Sequence, residues 1–203
     1  VSGPSGVGKG TVIHQVLRAH PEVKKSVSVT TRDPRPGEED GEDYTFVSVE
    51  EFQAMVEADA FLEFAQVHQD LWYGTPREPV ENALKAGHDM VMEIDYQGAR
   101  RVRGELGSRA VLVFVAPPSW QALVSRLEGR DTESDEATAK RLDSARLEFS
   151  AMEMYQYVII NDTLSVAVDE LEAVLVAERR RITRNDWQGL RRRLMEGAED
   201  AQF

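Results

Sequence analysis

The sequence contains no cysteine in its 203 residues. That excludes disulfides and cysteine-ligated metals, and it fits a chain kept in a reducing cytoplasm. There is no long apolar run. The longest, residues 110–116, is far too short to cross a bilayer core of about 30 Å, so no membrane span is expected. Nothing near Val1 has the pattern of a signal peptide. Positive charge is scarce: 24 Lys and Arg stand against 36 Asp and Glu, a formal net charge of −12. A general nucleic-acid binder wants a basic face, so nucleic acid is not an expected partner. A small anion held by a few local arginines is not excluded. The four histidines (His14, His20, His68, His88) lack metal-ligand spacing, and no zinc site is expected. There is no internal repeat or low-complexity segment. The remaining composition, 41% hydrophobic and 30% charged, is that of one globular domain able to bury a core.

The order of patterns along the chain predicts an α/β fold. A glycine-rich turn at residues 3–11 leads into a helical pattern with Val12, Ile13, Val16 and Leu17 on one face, stopped by Pro21. Residues 26–30 alternate as a half-buried strand does. Residues 32–41 hold two prolines, two glycines and several acids, and form an exposed loop. Residues 44–47 read as a short strand. Ser48 followed by Glu51 is a capping box opening a helix whose buried stripe is Phe52, Met55 and Val56. Residues 61–67 and 72–75 read as strand pieces, and 80–85 as a helix ended near Gly87. Residues 90–94, 111–115 and 158–160 are buried-strand candidates suited to a parallel sheet covered on both faces. Helical patterns at 120–127, 136–155 and 166–184 lie between or after them. The result is a parallel sheet flanked by helices, with 32–80 as a mixed α/β insert.

Residues 3–11 are the most informative. A phosphate loop needs glycines so that backbone N–H groups can wrap phosphate oxygens where side chains would clash. It needs a lysine to reach the outer phosphates, and it opens a helix whose N-terminus favours anions. The sequence Gly3-Pro4-Ser5-Gly6-Val7-Gly8-Lys9-Gly10-Thr11 meets these demands. It departs at Gly10, where the motif has a Ser or Thr that binds magnesium. Thr11 is therefore expected to contact phosphate, with Mg2+ held through water and nucleotide oxygens.

The loop, then Ser28-Val29-Thr30-Thr31-Arg32-Asp33-Pro34-Arg35-Pro36-Gly37-Glu38 and Gly41-Glu42-Asp43-Tyr44-Thr45-Phe46, resembles guanylate kinase. The resemblance continues through Phe61-Leu62-Glu63-Phe64-Ala65, Trp72-Tyr73-Gly74-Thr75 and Glu93-Ile94-Asp95-Tyr96-Gln97-Gly98. Ala116-Pro117-Pro118-Ser119, Arg126-Leu127-Glu128-Gly129-Arg130, Lys140-Arg141-Leu142 and Ile160-Asn161-Asp162 complete it. These motifs run in order up to about residue 180. The resemblance implies a P-loop nucleoside monophosphate kinase core with a GMP-binding insert and a helical lid, transferring the γ-phosphate of ATP to GMP, and to dGMP as well. It divides the chain into a core (1–31, 81–125, 156–184), an insert (32–80), a lid segment and helix (126–155) and a tail (185–203). ATP and GMP are the implied substrates, with Mg2+ accompanying ATP.

The residue chemistry bears on these roles. Arg32 and Arg35 sit three apart in one loop, and guanidinium forks match the oxygens of a dianionic phosphate. Tyr44 adds a hydroxyl donor. Pairing of the arginines with Glu38, Glu39 and Asp40 is the competing reading, with most weight for Arg35. Guanine differs from adenine by N1–H and the 2-amino group, two donors that one carboxylate can accept. By resemblance Glu63 is that acid, Ser28 and Thr75 the hydroxyls near guanine O6, Tyr73 the tyrosine of the phosphate pocket, and Asp95 a further group near the base. Glu93, where the family more often has Asp, ends a strand, and an acid there helps position the metal or its waters. Lys9, Arg130 and Arg141 are the implied catalytic cations, offsetting charge in a loose in-line transition state. Arg126 is expected at the ATP base or phosphates, and Asn161 resembles the adenine-side asparagine. No general base is needed, because the attacking GMP phosphate is already anionic.

Two other readings remain open. A related nucleotide or sugar-phosphate kinase on the same core gives no reason for the set Ser28, Arg32, Arg35, Tyr44 and Glu63. A scaffolding guanylate-kinase-like module typically loses the loop lysine and lid arginines, and Lys9, Arg130 and Arg141 are all present here. After about residue 180 comes an arginine-rich stretch with Trp187 and Leu190, expected as a solvated helical end pairing with the acidic body. The chain opens at Val1 without Met, and most of the first sheet strand is expected to precede it.

Overall fold

Continuous apolarity at residues 110–116 demands cover on both faces, and the surrounding helices supply it. The computed structural model describes residues 1–67, 71–129 and 135–196. Among these the elements run α1 (Lys9–Ala19), β1 (Lys24–Lys25), β2 (Ser28–Thr30), β3 (Tyr44–Phe46), α2 (Val49–Glu57), β4 (Phe61–Val67), β5 (Leu71–Pro76) and α3 (Arg77–Lys85). There follow β6 (Met90–Val91), α4 (Tyr96–Leu106), β7 (Val113–Ala116), α5 (Trp120–Glu128), α6 (Asp135–Ser150), β8 (Tyr157–Ile160), α7 (Leu164–Arg180) and α8 (Trp187–Met195).

The parallel sheet is assembled from distant pieces. β7 pairs in parallel with β8, Val113 opposite Tyr157 through Ala116 opposite Ile160. On the other side of β7, Ser2 N donates to Val113 O and Val115 N donates to Ser2 O. Val1 O in turn accepts from Ile94 N, and β6 pairs in parallel with β1. Hydrogen bonds thus cross from residues 24–25 through 90–94, 1–2 and 113–116 to 157–160. Val12, Ile13 and Val16 of α1 and Ala167 and Leu171 of α7 pack with Val91, Val113 and Ile159 in one buried cluster. Fully burying side chains of this size stabilises by roughly 1.5–3 kcal/mol each. A second cluster joins Leu62, Val80, Val102 and Ala110.

A separate four-stranded sheet has the order β3-β2-β5-β4. β2 is parallel to β3 and antiparallel to β5, and β5 is antiparallel to β4. Ser28–Thr30, grouped with the core by the sequence reading, is therefore hydrogen-bonded into this sheet. A register shift falls between Phe61 and Glu63. It breaks the alternation of inward and outward side chains, so Phe61, Leu62 and Glu63 are all buried. Phe61 stacks on Phe52 at 4.6 Å, Leu62 enters the second core cluster, and Glu63 turns into the cleft described below. The Ser48 capping box is formed: Glu51 N donates to Ser48 Oγ and Ser48 N to Glu51 Oε2.

Several sequence expectations shift. The helix expected at 136–155 ends at Ser150, followed by a 3₁₀ turn at Met152–Met154. The helix expected at 166–184 ends at Arg180. The helix expected at 80–85 begins earlier, at Arg77, with Pro79 in its first turn, where the missing N–H costs nothing. α4 has no counterpart among the expected helices. Its two glycines and three arginines mask a stripe of Ala99, Val102 and Leu106, and Asp95 caps it. In the tail, Arg179 pairs with Asp89 and Glu22, and Arg181 and Arg184 pair with the buried Glu178. α8 buries none of its residues.

Candidate active site

The glycine-rich turn leaves the sheet at Ser2 and enters α1 at Lys9. Gly3 has φ 141°, and a Cβ there would lie 2.1 Å from Val115 O, so the loop's first turn admits no side chain. α1 begins with neither a side-chain cap nor an acid in its first turn. Its first N–H groups and the positive end of its dipole are thus left for an anion. Lys9 Nζ donates to Gly3 O at 2.6 Å and Pro4 O at 3.2 Å. The loop is braced from behind: Asn161, 7% exposed, donates from Nδ2 to Val7 O at 2.7 Å. Arg126 donates to Val7 O and to Asn161 O, at 3.4 and 2.8 Å. Arg141 of α6 donates to Ser5 Oγ at 3.2 Å.

One cleft of about 230 Å³ gathers much of the expected set. Gly3, Ser5, Lys9, Ser28, Arg35, Tyr44, Glu63, Tyr73, Glu93, Asp95 and Arg141 all line it. Residues more than a hundred positions apart therefore converge on one space. Thr75, fully buried, donates to Glu63 Oε1 at 2.6 Å. Burial, with the nearby Asp95 carboxylate, pushes the Glu63 carboxyl up to about 7, against the Thr75 hydrogen bond and the Arg101 charge, which lower it. The Tyr44 and Tyr73 rings meet edge to face at 6.0 Å. Burial and then the Glu93 carboxylate push the Tyr44 hydroxyl up to about 12, so it remains a donor across the physiological range.

The two loop arginines divide differently from the sequence reading. Arg32, not Arg35, pairs with the acidic run: its Nη2 lies 2.9 Å from Glu38 Oε1. Its guanidinium also stands 5.3 Å from the centre of the Tyr44 ring and 5.7 Å from that of Phe46. Arg35 gives Glu38 only its backbone N–H and lines the cleft. Asp95 also serves the fold, since its Oδ1 accepts from Gly98 N at 2.7 Å and caps α4. A Cβ on Gly10 would come within 3.4 Å of Glu93 Oε2, so a carboxylate stands close to where the motif's hydroxyl is missing. Arg130 lies outside the described residues, as does His68. Among the described residues no cluster of three or more His, Cys, Asp or Glu could hold a metal ion.

Two further positions, one against Glu63 and one in the cleft, escape the sequence reading. A Cβ on Gly98 would lie 2.5 Å from Glu63 Oε2, so this glycine allows the carboxylate its place. Glu148 of α6 lines the cleft, and burial is the main force pushing its carboxyl up to about 7. Its signal in the sequence is its spacing, two helical turns from Arg141 on the same helix.

The guanylate kinase family model matches residues 1–178. The chain belongs to the guanylate kinase family. It is 47% identical over 187 residues to the guanylate kinase of Desulfitobacterium hafniense, covering 92% of each chain. It is 49% identical over 175 residues to that of Cutibacterium acnes, covering 86% of this chain and 87% of that one. The fold matches the crystal structure of guanylate kinase from Anaplasma phagocytophilum with a TM-score of 0.80 at 34% identity, covering 100% of this chain and 94% of the other. The family match ends within α7, so the last two residues of that helix and α8 lie beyond it. No helix among the described residues is long and apolar enough to cross a membrane.

Proposed function

We propose that this member of the guanylate kinase family transfers the γ-phosphate of ATP to GMP through the residues gathered in the cleft. The observation that carries the reading is the convergence of Glu63 and Lys9 on one space, a buried acid at one side and the loop lysine at the other. Glu63 accepts from guanine N1–H and the 2-amino group, while Thr75 and Ser28 supply hydroxyls to the O6 edge. Arg35, Tyr44 and Tyr73 hold the GMP phosphate. Arg32 supports them by stacking on Tyr44 and keeping Glu38 paired, away from that phosphate. Residues 3–11 cradle the ATP phosphates. Asn161 and Arg126 act first by bracing that loop through Val7 O, and they border the adenine side.

A GMP phosphate oxygen attacks the γ-phosphorus, the bond to the β-phosphate oxygen breaks, and ADP leaves with that electron pair. Lys9, Arg141 and Arg130 offset the charge spread over the transferring group, so catalysis is positioning and charge neutralisation. The donor set suits magnesium held by nucleotide oxygens and water. Gly10 offers no hydroxyl, and Glu93, whose Oε2 lies close to Gly10, would hold the ion through its waters. A magnesium ion bound there would supply neutralisation of phosphate charge. We assign residues 32–80 as the GMP-binding insert and 126–155 as the lid that closes over ATP.

The test offers ATP and Mg2+ with GMP, dGMP, AMP and UMP in turn, following ADP release. Turnover with GMP and dGMP is expected, with a preference over AMP of about 10⁴-fold, as for a site whose polar groups go unpaired against the wrong base. No turnover with GMP would overturn the reading.

A further inference from the structure

The mechanism above leaves one buried acid of the cleft without work. Glu148 follows Arg141 by seven residues on α6, two helical turns along one face. Both side chains reach the phosphate-loop side of the cleft: Arg141 donates to Ser5 Oγ, and Glu148 lines the same space as Gly3 and Lys9. Glu148 Oε2 is buried and has no hydrogen-bond partner. Leaving a buried carboxylate oxygen unmatched is costly, and packing gives no reason for an acid there. The charges facing it are the Lys9 ammonium at the start of α1, which favours the carboxylate, and Asp95 at the start of α4, which disfavours it. Glu93 and Arg141 line the same cleft, and the buried Tyr155 hydroxyl just beyond α6 senses the Glu148 charge. Lys9 shares the cleft with Glu148 without an ion pair to it, and its charge favours the Glu148 carboxylate. Its ammonium has three N–H donors, of which Gly3 O and Pro4 O take two.

We infer that Glu148 is a positioning residue for Lys9, its carboxylate drawing the lysine ammonium off the loop carbonyls toward the height where the transferring phosphoryl group passes. The inference rests on the proposed role of Lys9 at the ATP phosphates. Arg141 and Glu148 then act as a pair: one helix sets Ser5 with a cation and Lys9 with an anion. Movement of α6 would shift the loop and its lysine together.

The test is a double-mutant cycle on the full chain, with kcat measured at saturating ATP and GMP. Glu148→Gln is expected to lower kcat by 10- to 50-fold while the KM for GMP stays within threefold, and Glu148→Asp recovers part of the loss. In the Lys9→Ala background, Glu148→Gln is expected to cost less than twofold more, because the group it positions is gone. That arm is read at raised enzyme concentration, still below that of GMP, so that slow turnover remains measurable. Wild-type kcat in Glu148→Gln would overturn the inference. So would an equal fold-loss in both backgrounds, which would assign Glu148 to the packing of α6. If Glu148→Gln does not fold, Glu148→Asp carries the same cycle. Full activity of Lys9→Ala would fell the reading of Lys9 and this inference together. An inactive Lys9→Ala with additive Glu148→Gln would fell this inference alone.

Discussion

Lys9→Ala is expected to lower kcat for GMP phosphorylation by about 10³-fold, with the protein still folded. One preorganised donor aimed at developing charge in a water-poor site is worth roughly 10²–10³ in rate, or about 3–4 kcal/mol, and the ammonium adds a full charge to that donation. The structure gives no sign that the fold depends on Lys9. Its ammonium donates to Gly3 O and Pro4 O, two carbonyls of its own loop, and the loop is separately braced by Asn161 and Arg126 through Val7 O. Lys9→Arg is not expected to rescue turnover, because a planar fork cannot take the place of a compact ammonium set between two carbonyls. Steady-state kinetics with a thermal melt of each variant checks both halves. A loss below tenfold in a folded Lys9→Ala would remove Lys9 from the transfer step.

The loop is legible in the sequence because its demands are local. Positive φ at Gly3, Gly6 and Gly8, the lysine and the helix start all sit within a few residues. The capping box of Ser48 and Glu51 is legible for the same reason. What is not legible depends on chain segments that meet only after folding. Arg32 and Arg35 share a loop, and spacing alone cannot say which guanidinium turns to Glu38 and which lines the cleft. Glu148 sits among charged residues on a long helix, and only its place in the cleft, with one buried oxygen unpartnered, distinguishes it from a solvated acid. Asp95 has the look of a binding residue and proves also to be a helix cap, because α4 is hidden by its glycines. Gly98 belongs to a recognisable motif, yet its reason lies 35 positions earlier, in the carboxylate of Glu63 that a Cβ would strike.

Glu63→Gln is expected to lower kcat/KM for GMP by at least 10²-fold and, at the same time, to stabilise the protein at alkaline pH. Thr75 Oγ1 needs an acceptor and takes Oε1 at 2.6 Å. In the glutamine variant the amide oxygen must stay there, so the NH2 group replaces Oε2 and meets the guanine donors with donors of its own. A buried polar mismatch of that kind costs more than the loss of one hydrogen bond. The pH dependence follows from the raised carboxyl. With a folded value of about 7 against about 4.3 in an open chain, the folded protein binds the extra proton between these limits. Stability contributed by the protonated group is full below about 4.3 and is lost as pH rises through 7. By pH 8 the wild type carries a penalty of about 3 kcal/mol that glutamine does not. The melting temperature of Glu63→Gln should therefore exceed that of the wild type at pH 8 and match it near pH 4.5. Guanine selects the carboxylate form, so kcat/KM for GMP in the wild type should fall below pH 7 with a limb absent from the variant. That comparison cancels the titration of the GMP phosphate itself. An acid held unpaired at a cost in stability is what a specificity-determining group looks like before its ligand arrives. Equal pH profiles for the two proteins would show instead that Glu63 is a structural acid.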